Sequence, residues 1–499
     1  MDLAISQITK DTLKKDKQII IFVNSKRSAE AVAERLLKLK EALPQNTFLN
    51  DESNAVLNAL SSPTKQCKRL AKLVKRGIAF HHSGLNYKQR EIIEEGFKKR
   101  QIKIIAATPT LAAGVDLPAF RVLIRDLKRY SGFGMSYIPV LEYEQQAGRA
   151  GRPSFDDKGE AIIIASSEKE KEEVVEKYVY GEPESIYSKL AVEPVLRTYV
   201  LSLAATGYYK NFEGLMNFMS KTFYAHQYKD LNKLEGIIGR IITNLEYWEF
   251  LEKKSSSQDF VSANNLDQNI IVTRLGHRVS QLYVDPYTAN ELVQKMKDIK
   301  TSFDVLKMIS ECLEMRPLLK MRKKEEQLIN QKYFEEVEKP EFSFDEDFNH
   351  VLKTTIVLNE WMNEAHEDYL YSELNVTPGD INYKKEIGDW LIYTCIELAK
   401  IKGYTAQIKL LEKTRKRLQL GIKEELLPLI KIKGIGRIRA RKLFNNKIRD
   451  LGELRKTDIN ILANLLGPKM AQNIKKQLGQ EIKPVKKSKR KGQINLEDF

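Results

Sequence analysis

Cysteine is scarce: Cys67, Cys312 and Cys395 are the three in 499 residues, far apart and at no metal-ligand spacing. A disulfide scaffold is excluded, and such usage fits a reducing cytoplasm. Long apolar runs are missing too. Nothing approaches the roughly 18–20 residues a helix needs to cross a bilayer, and Met1 to Lys10 has no signal-peptide core, so no membrane partner is expected. No G-x-x-x-x-G-K-[ST] occurs, no Gly-Lys dipeptide occurs anywhere, and no D-E-x-H is present. With those parts P-loop NTPases hold nucleotide phosphates and magnesium. This chain brings neither.

What is present is apolar enough to fold and basic enough to seek an anion. Hydrophobic residues make up 42% of the chain, which excludes wholesale disorder. The net charge of +16 points to a polyanionic partner, with a Lys-rich surface as the plain alternative. At about 100–200 residues per domain, the length allows three or four domains.

The first third alternates strands and helices. Gln18 to Val23 is a continuous apolar run, as expected of a strand buried on both faces of a parallel sheet. It leads through Asn24-Ser25 into a helical pattern from Ala29 to Leu39. Gly77 to His82, Lys103 to Ala107, Val122 to Leu127 and Glu160 to Ala165 read as further strands. This alternation predicts an α/β parallel sheet whose ligands sit at the carboxyl ends of the strands. Ser25, His82, Thr108, Gly114 and Arg149 all follow strand ends. For His81 and His82, packing and capping is the favoured reading.

Around Gln145-Gln146-Ala147-Gly148-Arg149-Ala150-Gly151-Arg152-Pro153, two arginines sit three residues apart between glycines. A guanidinium is planar, forked and always charged, so it suits phosphoryl oxygens, and glycine lets the backbone approach them closely.

Together the motifs carry a resemblance. F-V-N-S-x-R-S-A-E (Phe22 to Glu30), H-H-S-G-L (His81 to Leu85), A-T-x-T-L-A-x-G-V-D-L-P-A (Ala107 to Ala119) and E-Y-x-Q-x-A-G-R-A-G-R-P resemble motifs IV to VI of the second RecA-like domain of Ski-like superfamily 2 helicases, the archaeal Hjm-type DNA repair helicases above all. The resemblance implies that Ser25 and Thr108 touch the DNA backbone and that Gly114 and Asp116 couple ATP to DNA contacts. It implies that Gln145, Arg149 and Arg152 face the triphosphate, with Arg152 as arginine finger. ATP would be shared with a first RecA-like domain that also holds Mg2+, and that domain is expected elsewhere: in a longer protein or on a separate chain. Alone, this chain is expected not to hydrolyse ATP.

The resemblance also assigns a strand-separating hairpin to about 121–140. Its apolar wedge candidates are Phe133, Met135 and Tyr137; an ordinary sheet-edge excursion is the alternative. The expected architecture is multidomain, an α/β RecA-like parallel sheet followed by all-α modules. Residues 1–182 form the RecA-like domain, and 183–285 a winged helix that packs against the core, with Ile270 to Val284, interrupted at Gly276, as its two-stranded wing. Residues 286–420 form a helical ratchet, in which Asp380 caps the helix bearing Tyr383 and Trp390. Seven residues apart, these two lie nearly on one face, either stacking on single-stranded DNA or filling the bundle core. Trp390 matches the ratchet tryptophan, whereas Tyr383 stands where the family carries arginine.

Residues 421–480 read as a helix–hairpin–helix module. Gly434 and Gly436 let turn amides face a phosphate, and Arg437, Arg439, Arg441 and Lys442 add charge. Leu466 to Ala471 resembles a second, degenerate copy. In the basic tail 481–499, Gln493, Leu496 and Phe499 resemble a peptide that docks on sliding clamps. The function implied is the C-terminal part of an ATP-dependent 3′–5′ DNA helicase acting on forked or branched DNA in repair. The alternatives are part of a Ski-like RNA helicase and a non-catalytic DNA-binding protein that kept the fold.

Overall fold

The structure is a computed structural model that describes residues 2–38, 47–60, 62–113, 115–130, 134–151, 156, 158–190, 192–229, 232–254, 269–341, 343 and 345–480. Contacts divide the chain into two compact units. One comprises Met1–Glu193, Met216–Glu235 and His366–Lys384; the other comprises Pro194–Leu215, Gly236–Ala365 and Lys385–Phe499. The division runs through the 183–285 segment.

In the first unit, β1 (Ile19–Phe22), β2 (Ile78–His81), β3 (Ile104–Ala107), β4 (Arg121–Ile124) and β7 (Glu160–Ile163) form a parallel sheet in the order β2-β3-β1-β4-β7; β5 (Lys128–Tyr130) and β6 (Met135–Tyr137) pair separately as an antiparallel hairpin. The side chains of β1 are completely buried, as an apolar run without alternation requires in a sheet covered on both faces. Ser25 caps the helix Lys26–Leu36, which turns Ala29, Val32, Ala33 and Leu36 onto the sheet. Arg121 sits at the start of β4, bonded to Glu160 and Asp11. The expectation of a hairpin from 121 is thereby corrected: 121–124 is core strand, because its residues are buried on both sides, and the hairpin begins at Lys128.

The segment 366–384 belongs to this unit as well. The Gly379 N–H donates to the Gly84 carbonyl at 3.0 Å, and Lys26 bonds Asp380 at 2.6 Å. A Cβ on Gly379 would lie 2.0 Å from the Ser83 carbonyl oxygen, so only glycine fits this approach. Here Asp380 does not cap the helix from outside. The helix Pro378–Lys402 starts two residues earlier, and Asp380 lies in its first turn, bonded to the Thr377 hydroxyl and backbone N–H. Burial opposes ionisation of Asp380, but Lys26 and Thr377 outweigh it and hold its carboxyl below the ordinary range.

The second unit is helical apart from one strand pair among its described residues. Gly388 lets the long helix Pro378–Lys402 approach Leu418 and Ile309, where a Cβ would meet both at 3.0–3.4 Å. Two buried ion pairs, Lys353–Glu325 at 2.5 Å and Arg197–Asp285 at 2.7 Å, are fully hydrogen-bonded pairs of the kind tolerated in a core. The wing departs from expectation. β8 (Leu251–Lys254) pairs antiparallel with β9 (Asn269–Val272), and Arg274–Leu282 is a helix capped by Thr273. Leu275, Val279 and Leu282 carry its helical period, and Gly276 is there because a Cβ would lie 2.1 Å from the Phe250 carbonyl oxygen. Ile422, Leu426, Leu443, Leu454, Leu462 and Ile474 build a separate small core for the last module. Among the described residues no helix is long and apolar enough to cross a membrane, and no His, Cys, Asp and Glu group could hold a metal ion.

Candidate functional site

The carboxyl edge of the sheet holds two of the expected nucleic-acid residues. β1 pairs with β3 in the register Phe22↔Ala107, which brings Ser25 and Thr108 to neighbouring strand ends. Ser25 is exposed and accepts from the Ser28 N–H at 3.2 Å. Asn24 is oriented by its N–H to the Asp126 carboxylate at 3.0 Å. Thr108 is more enclosed; its N–H donates to the His81 carbonyl at 3.2 Å, and its hydroxyl meets that of Thr110. His81 and His82 serve the frame. His81 bonds Glu94 at 2.8 Å, and His82 accepts the Gly84 N–H at 3.1 Å with its other nitrogen 3.3 Å from Glu30. Burial is the largest influence on His82 and lowers its pKa against the pull of Glu30.

Arg149 sits on the other edge. Ala119, before β4, bridges Ala150 in parallel, and the Gly151 N–H donates to the Ala119 carbonyl at 2.7 Å. That places Arg149 at the amino end of β4, not after a strand end as expected, because its loop pairs with the residues that lead into β4 before β7 begins. Its guanidinium donates twice to the Ala112 carbonyl, at 3.1 and 2.5 Å, and lies 3.7 Å from the exposed Asp116 carboxylate. Ala112 and Asp116 belong to the segment that leaves β3 at Thr108 and crosses to the start of β4. One loop thus connects the Ser25–Thr108 edge to the arginine. Gln145 is exposed on the helix Val140–Ala147, which leads into Arg149, while its neighbour Gln146 is buried. Gly114, Arg152, Phe133, Gln493, Leu496 and Phe499 lie outside the described residues.

The hairpin redistributes the wedge candidates. Tyr137 is at the base, half-buried; its hydroxyl donates to Glu173 at 3.1 Å, and Lys128 lies 4.3 Å from its ring centre. Near the turn, Tyr130 faces Met135 across the strands, and both are more than 60% exposed. Tyr130 is not among the wedge candidates the sequence offers; only the strand register reveals it as the partner of Met135.

On the long helix, Trp390 is half-buried with its indole N–H donating to the Leu282 carbonyl at 3.0 Å. Tyr383 is 48% exposed, with the Lys384 ammonium 5.2 Å from its ring centre. In the last module Gly434 has φ +96°, and a Cβ there would press on Met470 of the second hairpin at 2.7 Å. Gly436 precedes the helix Arg437–Asn445 at its N-terminus. Arg439 remains exposed beside the turn and donates to the Gly434 carbonyl at 2.7 Å. Arg437 points back into the protein: it donates to the Ala365 carbonyl at 2.8 Å and lies 4.9 Å over the Trp361 ring. Arg441 is likewise held by Glu364 and Glu425. The reserve of charge for a polyanion at this turn is therefore smaller than the run of arginines suggests.

A parallel sheet with Ser25 and Thr108 at one edge, Arg149 at the other and a hairpin that leads into the helix before Arg149 is the arrangement of the second motor domain of a superfamily 2 helicase. Residues 3–154 match the helicase conserved C-terminal domain, 303–421 match the archaeal helicase domain 4, and 426–480 match the SAM-like helix-hairpin-helix tandem. The ATP-dependent DNA helicase Hel308 of Pyrococcus horikoshii is 38% identical over 98% of this chain and 68% of its own length. Those of Pyrococcus abyssi, at 37% over 98% and 68%, and Methanococcus vannielii, at 36% over 95% and 67%, are similar. The chain belongs to the Hel308 helicase family.

Proposed function

We propose that this chain is the C-terminal part of an ATP-dependent DNA helicase that moves 3′ to 5′ and opens forked or branched DNA in repair. The observation that carries the reading is Arg149, bonded to Ala112 beside Asp116 on the same loop that begins at Thr108. A change at the nucleotide edge has a short covalent path to the edge that grips the DNA backbone. Because the chain has no Walker A lysine and no D-E-x-H, a first RecA-like domain must supply the triphosphate cradle and Mg2+, within a longer polypeptide or as a separate chain. Gln145, Arg149 and Arg152 would complete the site from this side, with ATP between the two domains. Gly114 and Asp116 would relay closure to DNA held by Ser25 and Thr108.

Trp390 and Tyr383 would stack on single-stranded bases as the strand advances, and Gly434, Gly436 and Arg439 would hold backbone phosphate without reading sequence. The helix-hairpin-helix tandem favours DNA over RNA as the track. Gln493, Leu496 and Phe499 would tether the helicase to a sliding clamp.

The hairpin tests the reading. Replacing Tyr130 and Met135 together by alanine is expected to slow fork unwinding about tenfold or more while leaving single-strand-stimulated ATPase within about twofold, since the lost side chains replace base stacking at the junction. A stopped-flow unwinding assay beside a steady-state ATPase assay separates the two. Equal losses in both would count against a wedge.

A further inference from the structure

β6 passes into the helix Val140–Ala147, called the arginine helix because it leads into Arg149, through two residues only, Ile138 and Pro139. Proline has a restricted φ and no N–H, and Pro139 gives the helix no side-chain cap. The first helical amides thus begin without a local acceptor. The acceptor comes from 44 residues downstream: the Glu184 carboxylate takes the Val140 N–H at 2.7 Å and the Leu141 N–H at 3.2 Å. These backbone donors, Val140 first, hold the Glu184 carboxyl below its ordinary range.

The same downstream stretch grips the other side of the joint. Buried Tyr178 donates its hydroxyl to the Ile138 carbonyl at 2.7 Å, while the Ile138 N–H donates to the Leu127 carbonyl at 2.8 Å. Both backbone polar groups of the linking residue are tied. The Tyr178 ring lies 6.3 Å from that of Tyr137 on the hairpin and 4.9 Å from that of Tyr143 on the arginine helix. Glu173 takes the Tyr137 hydroxyl. Between Tyr178 and Glu184 the chain turns at Gly181, where a Cβ would lie 1.9 Å from the Lys177 carbonyl oxygen.

We propose that residues 173–184 form a strap across this joint, with Tyr178 and Glu184 as positioning residues. They set the angle between hairpin and arginine helix, so that load on the hairpin reaches Arg149 and the nucleotide edge. With a two-residue link and both groups of Ile138 held, hairpin and helix move as one lever. Without the strap, the hairpin swings while the arginines stay put. This rests on the helicase reading above.

The test uses Tyr178→Phe, which keeps the ring and removes only the hydroxyl, with Glu184→Gln and Glu184→Ala. In the chain alone, amide exchange at Val140 and Leu141 is expected to rise roughly three- to thirtyfold in Glu184→Ala, the range for losing a helix cap, and less in Glu184→Gln. With a first RecA-like domain added, kcat for DNA-stimulated hydrolysis is expected to fall several-fold in the Tyr178→Phe, Glu184→Ala double variant. KM for ATP should stay unchanged, and unwinding should fall further than hydrolysis. Exchange across 138–147 identical to wild type overturns the strap, as does faster exchange with kcat and unwinding unaltered. A wild-type mixture with no activity refutes the helicase reading instead, and the strap then stands or falls on the exchange result.

Discussion

Arg152→Ala is expected to cut DNA-stimulated ATP hydrolysis about a thousandfold or more in the protein joined with a first RecA-like domain, the scale set by arginine fingers in related NTPases, while single-stranded DNA affinity stays within about twofold. The two arginines of the motif are expected to act differently. Arg149 is already committed to the Ala112 carbonyl and lies near Asp116, so its fork braces the crossing loop. Gly151, with φ +94° and its N–H on Ala119, anchors the chain just before Arg152. Arg149→Ala is therefore expected to weaken DNA contact as well as hydrolysis, because the loop it braces leads back to Thr108. Lysine at 149 should not restore either function, as one ammonium cannot reproduce a forked donor. Steady-state ATPase with DNA titration by anisotropy distinguishes the pair.

Trp361→Ala is expected to destabilise the second unit by about 3–5 kcal/mol, the usual cost of removing a buried aromatic ring. The helix Thr405–Leu420 ends at Gly421, in the left-handed conformation at φ +63°, and leaves carbonyls without partners in its last turn. The Trp361 indole N–H takes one of them, the Leu418 carbonyl, at 2.8 Å. A Cβ on Gly421 would lie 2.6 Å from the ring, so glycine and tryptophan are fitted to each other. Lys385 at 4.1 Å and Arg437 at 4.9 Å cover the ring with cations. Losing the indole therefore opens a cavity, leaves a buried carbonyl without its donor and removes the ring on which Arg437 of the helix-hairpin-helix module stacks. Phenylalanine at 361 should cost much less, about the 1–3 kcal/mol of an unsatisfied buried acceptor. Denaturant titration of the three proteins measures the difference.

The strands were legible because parallel strands buried on both faces become uninterrupted apolar runs, as Ile19 to Phe22 do. The motor motifs were legible as local strings. What escaped depends on partners distant in sequence. The wing is hard to read because the partner of β9 lies upstream, while the helical period of Leu275, Val279 and Leu282 follows so closely that it resembles strand. Arg437 and Arg441 look like free charge until Ala365 and Glu364, more than 70 residues away, are brought against them. Tyr130 needed the register of β5 on β6, and Glu184 needed the fold that carries it to the arginine helix. The motif alone does not reveal that Arg149 lies at the amino end of β4, because the bridge of Ala150 to Ala119 that sets its place is a property of the sheet.

The most direct measurement is DNA-stimulated ATPase of this chain alone and after addition of a separately produced first RecA-like domain. The account predicts no hydrolysis by the chain alone, hydrolysis in the mixture with DNA, and its loss with Arg152→Ala. Hydrolysis by the chain alone, or silence in a mixture that assembles and binds DNA tightly, would contradict it.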